Sequence, residues 1–259
     1  MSRAALVAVL AVLLAACART SSAPAAPAAP PPPPVSPAPA PRPGTFAVPP
    51  GATIVIDPGH NGGNARAAAA IARPVPDGRG STKPCNTTGA ATADGYAEHA
   101  FTWAVSGRLA ALLRERGYRV VLTRPDDTGV GPCVDARGEA GARERAAAVI
   151  SVHADGASAA GHGFHVLYSS PPLDPAQRGP ARALADAAVT AMRGAGFTPA
   201  TYIGRDGLDA RDDIAGLNLA TVPSVLVECG NLRNPGDAAL ARSPEGQERF
   251  ARALAAAIG

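Results

Sequence analysis

Proline is the feature that most limits where this chain can fold. Thirteen of its 27 prolines fall between Ala18 and Pro50, among them the unbroken run Pro30 to Pro34. Proline fixes φ and lacks an amide donor, so such a stretch prefers extended polyproline II. The residues between the prolines are mostly Ala, Ser and Thr, with almost nothing to bury. Residues 17–50 therefore read as a stiff spacer. Fully extended at about 3.1 Å per residue, it would reach on the order of 100 Å. Folding is confined to residues 51–259, enough chain for one well-buried domain.

Ahead of the spacer, Arg3 precedes the apolar run Ala4–Ala16. That run is too short to span a bilayer as a helix and fits the apolar region of a signal peptide over residues 1–16. It ends in Leu14-Ala15-Ala16-Cys17, which resembles the bacterial lipobox, where the cysteine is lipidated. Ordinary cleavage around Ala16-Cys17-Ala18 is the alternative. Either way the expectation is an exported protein. With Cys17 lipidated, it is anchored to the outer face of the membrane.

In the remainder, Thr53–Asp57, Tyr118–Thr123, Val149–His153, Phe164–Tyr168 and Ser224–Glu228 are short runs rich in β-branched or apolar residues. Apolar residues at consecutive positions suit strands covered on both faces. Helical patterns alternate with them. Phe101, Val105, Leu109, Leu112 and Leu113 form a stripe at steps of three and four, and Gly117 supplies a stop. Further helices are expected over Arg137–Ala148, Pro175–Arg193 and Glu245–Ile258. The alternation predicts an α/β domain of three layers, with a twisted, largely parallel sheet between helices.

Ligands of open α/β sheets bind beyond the carboxyl ends of strands. Three predicted strands end in chemistry-bearing residues: Asp57-Pro58-Gly59-His60, then Val152-His153, then Val227-Glu228. Glu98 shares the buried stripe of Phe101 and Val105, and a lone buried carboxylate is costly unless paired or bound to a metal. His99 points about 100° away from it and is no natural co-ligand. Zinc favours His and carboxylate ligands, and catalytic sites use three protein ligands. His60, Glu98 and His153 supply three, leaving Glu228 as acid/base. A net charge of +3 lacks the concentrated basic stripe that nucleic-acid binding requires.

These stretches, taken in order, resemble the zinc-dependent N-acetylmuramoyl-L-alanine amidases of the type-3 amidase family. Ile56–His60, Glu98 opening a helix, Gly117–Arg124, Arg137 before Ser151–Asp155, Pro223–Glu228 and Asn231–Asp237 carry the resemblance. It spans essentially all of residues 51–259 and is greatest to versions from mycobacteria and related actinobacteria. It implies one Zn2+ on His60, Glu98 and His153, with Glu228 catalytic. The implied reaction is hydrolysis of the amide joining N-acetylmuramic acid to L-alanine in peptidoglycan or its muropeptide fragments. Departures are Asn61 directly after the histidine, Gly141-Ala142 where Ala-Asn is usual, and a long insertion over residues 61–97.

The insertion carries Arg66, Arg73, Arg79 and Lys83, read as a solvated loop face or as partners for stem-peptide carboxylates. Cys85 and Cys133 both lie in Gly/Pro-rich loops, and an oxidising compartment permits a disulfide between them, with two free thiols the alternative. Cys229, after a strand end, reads as a buried thiol. His162 and His165 read as ordinary loop and strand residues, with His165 facing the cleft as the alternative. Asn218 and Arg211-Asp212-Asp213 carry no spacing argument for substrate contact. A monomer is expected. The rival readings are a non-catalytic wall-binding lipoprotein and a different zinc-dependent peptidoglycan hydrolase.

Overall fold

The computed structural model describes residues 44–259. The signal peptide expected over residues 1–16, Cys17 and most of the expected spacer lie outside the described residues. In chain order the elements are β1 (Thr53–Pro58), α1 (Ala68–Ala72), β2 (Pro74–Pro76), β3 (Thr82–Pro84) and α2 (Glu98–Glu115). Then come β4 (Arg119–Leu122), α3 (Val134–Gly138), α4 (Ala140–Arg143), β5 (Ala148–Asp155) and β6 (His165–Ser169). The chain closes with α5 (Pro175–Arg178), α6 (Pro180–Gly194), β7 (Leu208–Arg211), α7 (Ala215–Asn218), β8 (Ser224–Asn231), α8 (Pro235–Arg242) and α9 (Pro244–Ala256).

Six strands form one sheet in the order β4-β1-β5-β8-β6-β7. The four strands from β4 to β8 are parallel, but β6 is antiparallel to β8, and β7 follows β6. The sheet is thus mixed at one end. β6 can run backwards because it follows β5 through a loop, without the crossover helix that parallel neighbours need. Strand β7 has no β-branched residue; its pairing with β6 holds it in place, and its sequence did not announce it.

The strands alternate cleanly between two faces. Ile54, Ile56, Ala148, Ile150, Val152, Val225 and Val227 join the main core, packed with Phe101, Val105, Leu109 and Leu113 of α2 and Phe250 and Leu254 of α9. The opposite face carries Asp57, Ser151, His153 and Glu228 toward a cavity. Short helices α3, α4 and α7 and the insertion cover that side.

Helix ends follow local chemistry. Asn234 Oδ1 caps α8 by accepting from the amides of Gly236 and Asp237, at 3.0 and 3.2 Å. Ser243 Oγ accepts from Gly246 N at 2.9 Å to cap α9, with Pro244 at its first position. Gly117, at φ +85°, ends α2 as its sequence predicts. The helix expected over Arg137–Ala148 is shorter. It ends with α4, Arg145 turns at φ +51°, and Ala148 already belongs to β5. The helix expected over Pro175–Arg193 is divided at Gly179 into α5 and α6. Helix α8 was not foreseen.

Phe46 and Val48 pack on the chain's end, with Phe46 N donating to Ala257 O at 2.7 Å. Among the described residues no helix is long and apolar enough to cross a membrane.

Candidate active site

Glu98 is the first residue of α2 and is buried, with 3% of its surface exposed. A helix N-terminus favours an anion there. Both carboxylate oxygens also accept backbone bonds: Oε2 from Ala90 N at 2.7 Å, Oε1 from Ala154 N at 3.1 Å. Each oxygen faces one imidazole as well. His60 Nε2 lies 3.1 Å from Oε2 and His153 Nδ1 lies 2.9 Å from Oε1. Burial would raise the Glu98 pKa, but His153 and then His60 outweigh it and drive the pKa far down. Burial likewise works against a charged His60, yet the Glu98 partnership raises its pKa above the usual imidazole value.

The two histidine rings meet edge to face, with centroids 4.9 Å apart. One ligand atom each from His60, Glu98 and His153 fits within 4.8 Å of the others, a group that could hold a metal ion. His60 Nδ1 donates to Thr87 O at 3.1 Å, which in the neutral ring leaves Nε2 as the free lone pair. His60 itself stands at φ +58°, a left-handed backbone that costs energy for a residue with a Cβ.

Two glycines make this crowding feasible. A Cβ on Gly59 would lie 2.4 Å from the His153 ring. A Cβ on Gly89 would lie 2.7 Å from Glu98 Oε2, and Gly89 also has φ +79°.

The His60 turn is anchored from below by Arg137. Its Nη1 donates to Asp57 Oδ1 and to Pro58 O, and its Nη2 donates to His60 O at 2.8 Å and Asn61 Oδ1 at 2.6 Å. Asn61, a departure in the sequence, is thus part of the anchor. Burial acts to raise the Asp57 pKa, but Arg137, Ser151 and Thr123 bring it down to about 2. The sequence pointed to Arg137 only as a spacing match; its role needed the fold. His99 turns away from the cluster and pairs with Asp127 at 2.9 Å, as its helical phase requires.

Glu228 sits opposite His153 in the β5–β8 register, on the cavity face. Burial, then the negative charges of Glu98 and Asp155, push its pKa well up. Its Oε2 is buried without a hydrogen-bond partner. The cavity, about 410 Å³, runs past His60, Glu98, His153 and Glu228 and along the sheet to Val149 and Leu226.

The insertion forms one wall. Lys83, Asn86, Thr87, Gly89 and Ala90 line the cavity. A Cys85–Cys133 disulfide ties it to the start of α3, as the paired-thiol reading allowed, and Cys229 is a free buried thiol. Arg66 and Arg73 keep the exposed face expected of the insertion's cations, but for Arg79 and Lys83, which are half-buried, that expectation is corrected by their bonds. Arg79 donates to Asn218 Oδ1, Ser169 Oγ and Pro171 O, Lys83 Nζ to Asp213 O, and Arg66 to Thr128 O. These loops offer carbonyls that only the folded chain brings within reach. Asn218, in turn, fastens the insertion by donating to Asp77 O and Asp212 O.

Residues 54–259 match the family model described as N-acetylmuramoyl-L-alanine amidase (Amidase_3). The chain belongs to this family. The amidase is 49% identical over 204 residues to an N-acetylmuramoyl-L-alanine amidase of Mycobacterium tuberculosis, covering 79% of this chain and 83% of that one. Its fold is similar to the crystal structure of the N-acetylmuramyl-L-alanine amidase from Mycobacterium smegmatis, with TM-score 0.78 and 50% identity over 82% of this chain and 96% of the other. The apo enzyme from Mycobacterium abscessus is similar to the same degree, with TM-score 0.78 and 48% identity over 80% and 97% of the two chains. The amidase is therefore a hydrolase of the cell-wall class.

Proposed function

We propose that the amidase hydrolyses the amide between N-acetylmuramic acid and L-alanine, with His60, Glu98 and His153 holding one zinc ion and Glu228 acting as acid/base. The observation that carries the reading is the convergence of three ligand atoms within 4.8 Å, beside a carboxylate with an unpaired oxygen in the same cavity. Two imidazoles and one carboxylate are a donor set that zinc accepts, and three protein ligands leave a position open. Bound there, zinc supplies a Lewis acid for an amide carbonyl and acidifies water.

The chain's own residues do the rest. Thr87 O orients His60 through Nδ1, and the Ala90 and Ala154 amides orient Glu98. Glu228 takes a proton from the attacking water and passes it to the departing alanine amine. Its Oε2, free of other partners in the same cavity, is available for both transfers.

Mass analysis of digested muropeptides, with and without zinc, tests the reaction. Loss of the intact stem peptide supports it. A shortened peptide, loss of acetate, or no change overturns it. His60→Ala should lose both metal and activity, and stoichiometric zinc in that variant would refute the ligand assignment.

The sequence ahead of the domain supports an exported protein, held by Cys17 and the Pro-rich spacer at the outer face of the membrane. A mass shift at a mature N-terminal Cys17 tests the anchor.

A further inference from the structure

His165 begins β6 and lies directly opposite Glu228 in the antiparallel β6–β8 pair. Opposed residues in such a pair share a face, with Cβ atoms about 4.5–5.5 Å apart. The next pair on that face, Leu167 and Leu226, packs together in a small apolar cluster with Leu217. His153, Glu228 and His165 therefore form one row across β5, β8 and β6, all on the cavity side.

The His165 ring is almost wholly buried, with 1% exposed. Tyr202 packs against it edge to face, with centroids 6.0 Å apart. Its Nε2 edge faces Asp209, 3.9 Å away, and Asp209 is itself held by Arg211 at 3.3 Å. That leaves the Nδ1 edge. Nδ1 is buried without a hydrogen-bond partner, and so is Oε2 of Glu228. Buried polar atoms are almost always paired. The Tyr202 hydroxyl is a third unpartnered atom beside them, but only Nδ1 and Oε2 lie on side chains directly opposed across one strand pair.

We propose that His165 is a positioning residue for Glu228: in the working enzyme Nδ1 and Oε2 turn toward each other to share one hydrogen, fixing the carboxylate to face His60, Glu98 and His153. The proposal rests on the acid/base role given to Glu228. Asp209 and Tyr202 set the ring, and the ring sets the carboxylate. His165 touches neither substrate nor metal.

Substitution separates this from simple packing. An asparagine amide stands near the place of Nδ1, whereas a glutamine amide reaches toward that of Nε2. His165→Leu should lower kcat by about 10–100-fold, the scale seen when orienting partners are removed, with KM and bound zinc unchanged. His165→Asn should restore kcat to within a few fold, and His165→Gln should not. In a Glu228→Gln background, His165→Leu should cost nothing further, because coupled residues are not additive. A readout independent of turnover is the imidazole ¹⁵N signal of His165 Nδ1 in the zinc-loaded protein, which should move on Glu228→Gln. Wild-type kcat in His165→Leu, equal kcat in the Asn and Leu variants, or an unmoved ¹⁵N signal overturns the proposal. Full activity in Glu228→Gln alone would instead overturn the role of Glu228. Should His165→Leu fail to fold, the ¹⁵N measurement and the Asn–Gln contrast still decide.

Discussion

The two faces of the sheet are built for opposite purposes. Under α2, α6 and α9, strand residues such as Ile56, Ile150, Val152 and Val227 are apolar and lie in one continuous core. On the other face, their immediate neighbours in sequence are Asp57, Ser151, His153 and Glu228, and the apolar clusters there are small. One residue of register separates them. The helix-covered face stabilises the domain through apolar burial. The cavity face holds charge that burial penalises, and it relies on backbone amides, Arg137 and a disulfide to keep it in place.

This contrast predicts which changes separate activity from stability. Glu228→Gln should lower hydrolysis by about 10²–10⁴-fold while zinc content and the unfolding midpoint hold. A comparable loss of stability would mean that Glu228 belongs to the framework. Phe101→Ala, on the opposite face, removes a ring packed edge to face on Phe250. It should cost about 3–5 kcal/mol in urea unfolding with kcat per folded molecule unchanged.

Replacing Cys85 and Cys133 together by alanine tests the wall of the cavity. For a separation of 48 residues, the chain-entropy model gives a loss of about 4 kcal/mol. Thermal unfolding with and without reductant should show it in the wild type and not in the variant.

The smallest effect is expected at Asp57. Its pKa is about 2 when folded and near 3.8 otherwise. A depressed carboxylate contributes stability that is complete above 3.8 and lost as pH falls through the folded value. At pH 7 the contribution is about 2 kcal/mol, falling to roughly half by pH 3. Urea titrations of wild type and Asp57→Asn, both in chelator, should therefore converge as the solution is acidified. A difference independent of pH would show that the carboxylate charge contributes nothing.

Much of this was legible beforehand. The runs around Ile54, Val120, Ile150 and Leu226 announced strands because burial on both faces demands consecutive apolar residues. The α2 stripe placed Glu98 inside because helical phase is fixed by the backbone. Other features were not legible. β7 exists through pairing, β2 begins and ends in proline and its hairpin partner β3 ends in one, and the reversal of β6 is a matter of connection. Arg79 and Lys83 looked like solvent-facing cations because their carbonyl partners lie far away in sequence, at Pro171 and Asp213.

What the sequence determined by itself is periodic or compositional: the strand and helix alternation, and the strands that carry His153 and Glu228 or lead into His60, although β5 and β8 run on past the ends expected for them. These follow from short-range physics. What only the tertiary structure decided is adjacency. It aligned His153, Glu228 and His165 on one face, brought Thr87 and Ala90 of the insertion against His60 and Glu98, and set Arg137 beneath the turn. No local pattern encodes these neighbours, because their positions come from strand order and register, which the whole chain sets together.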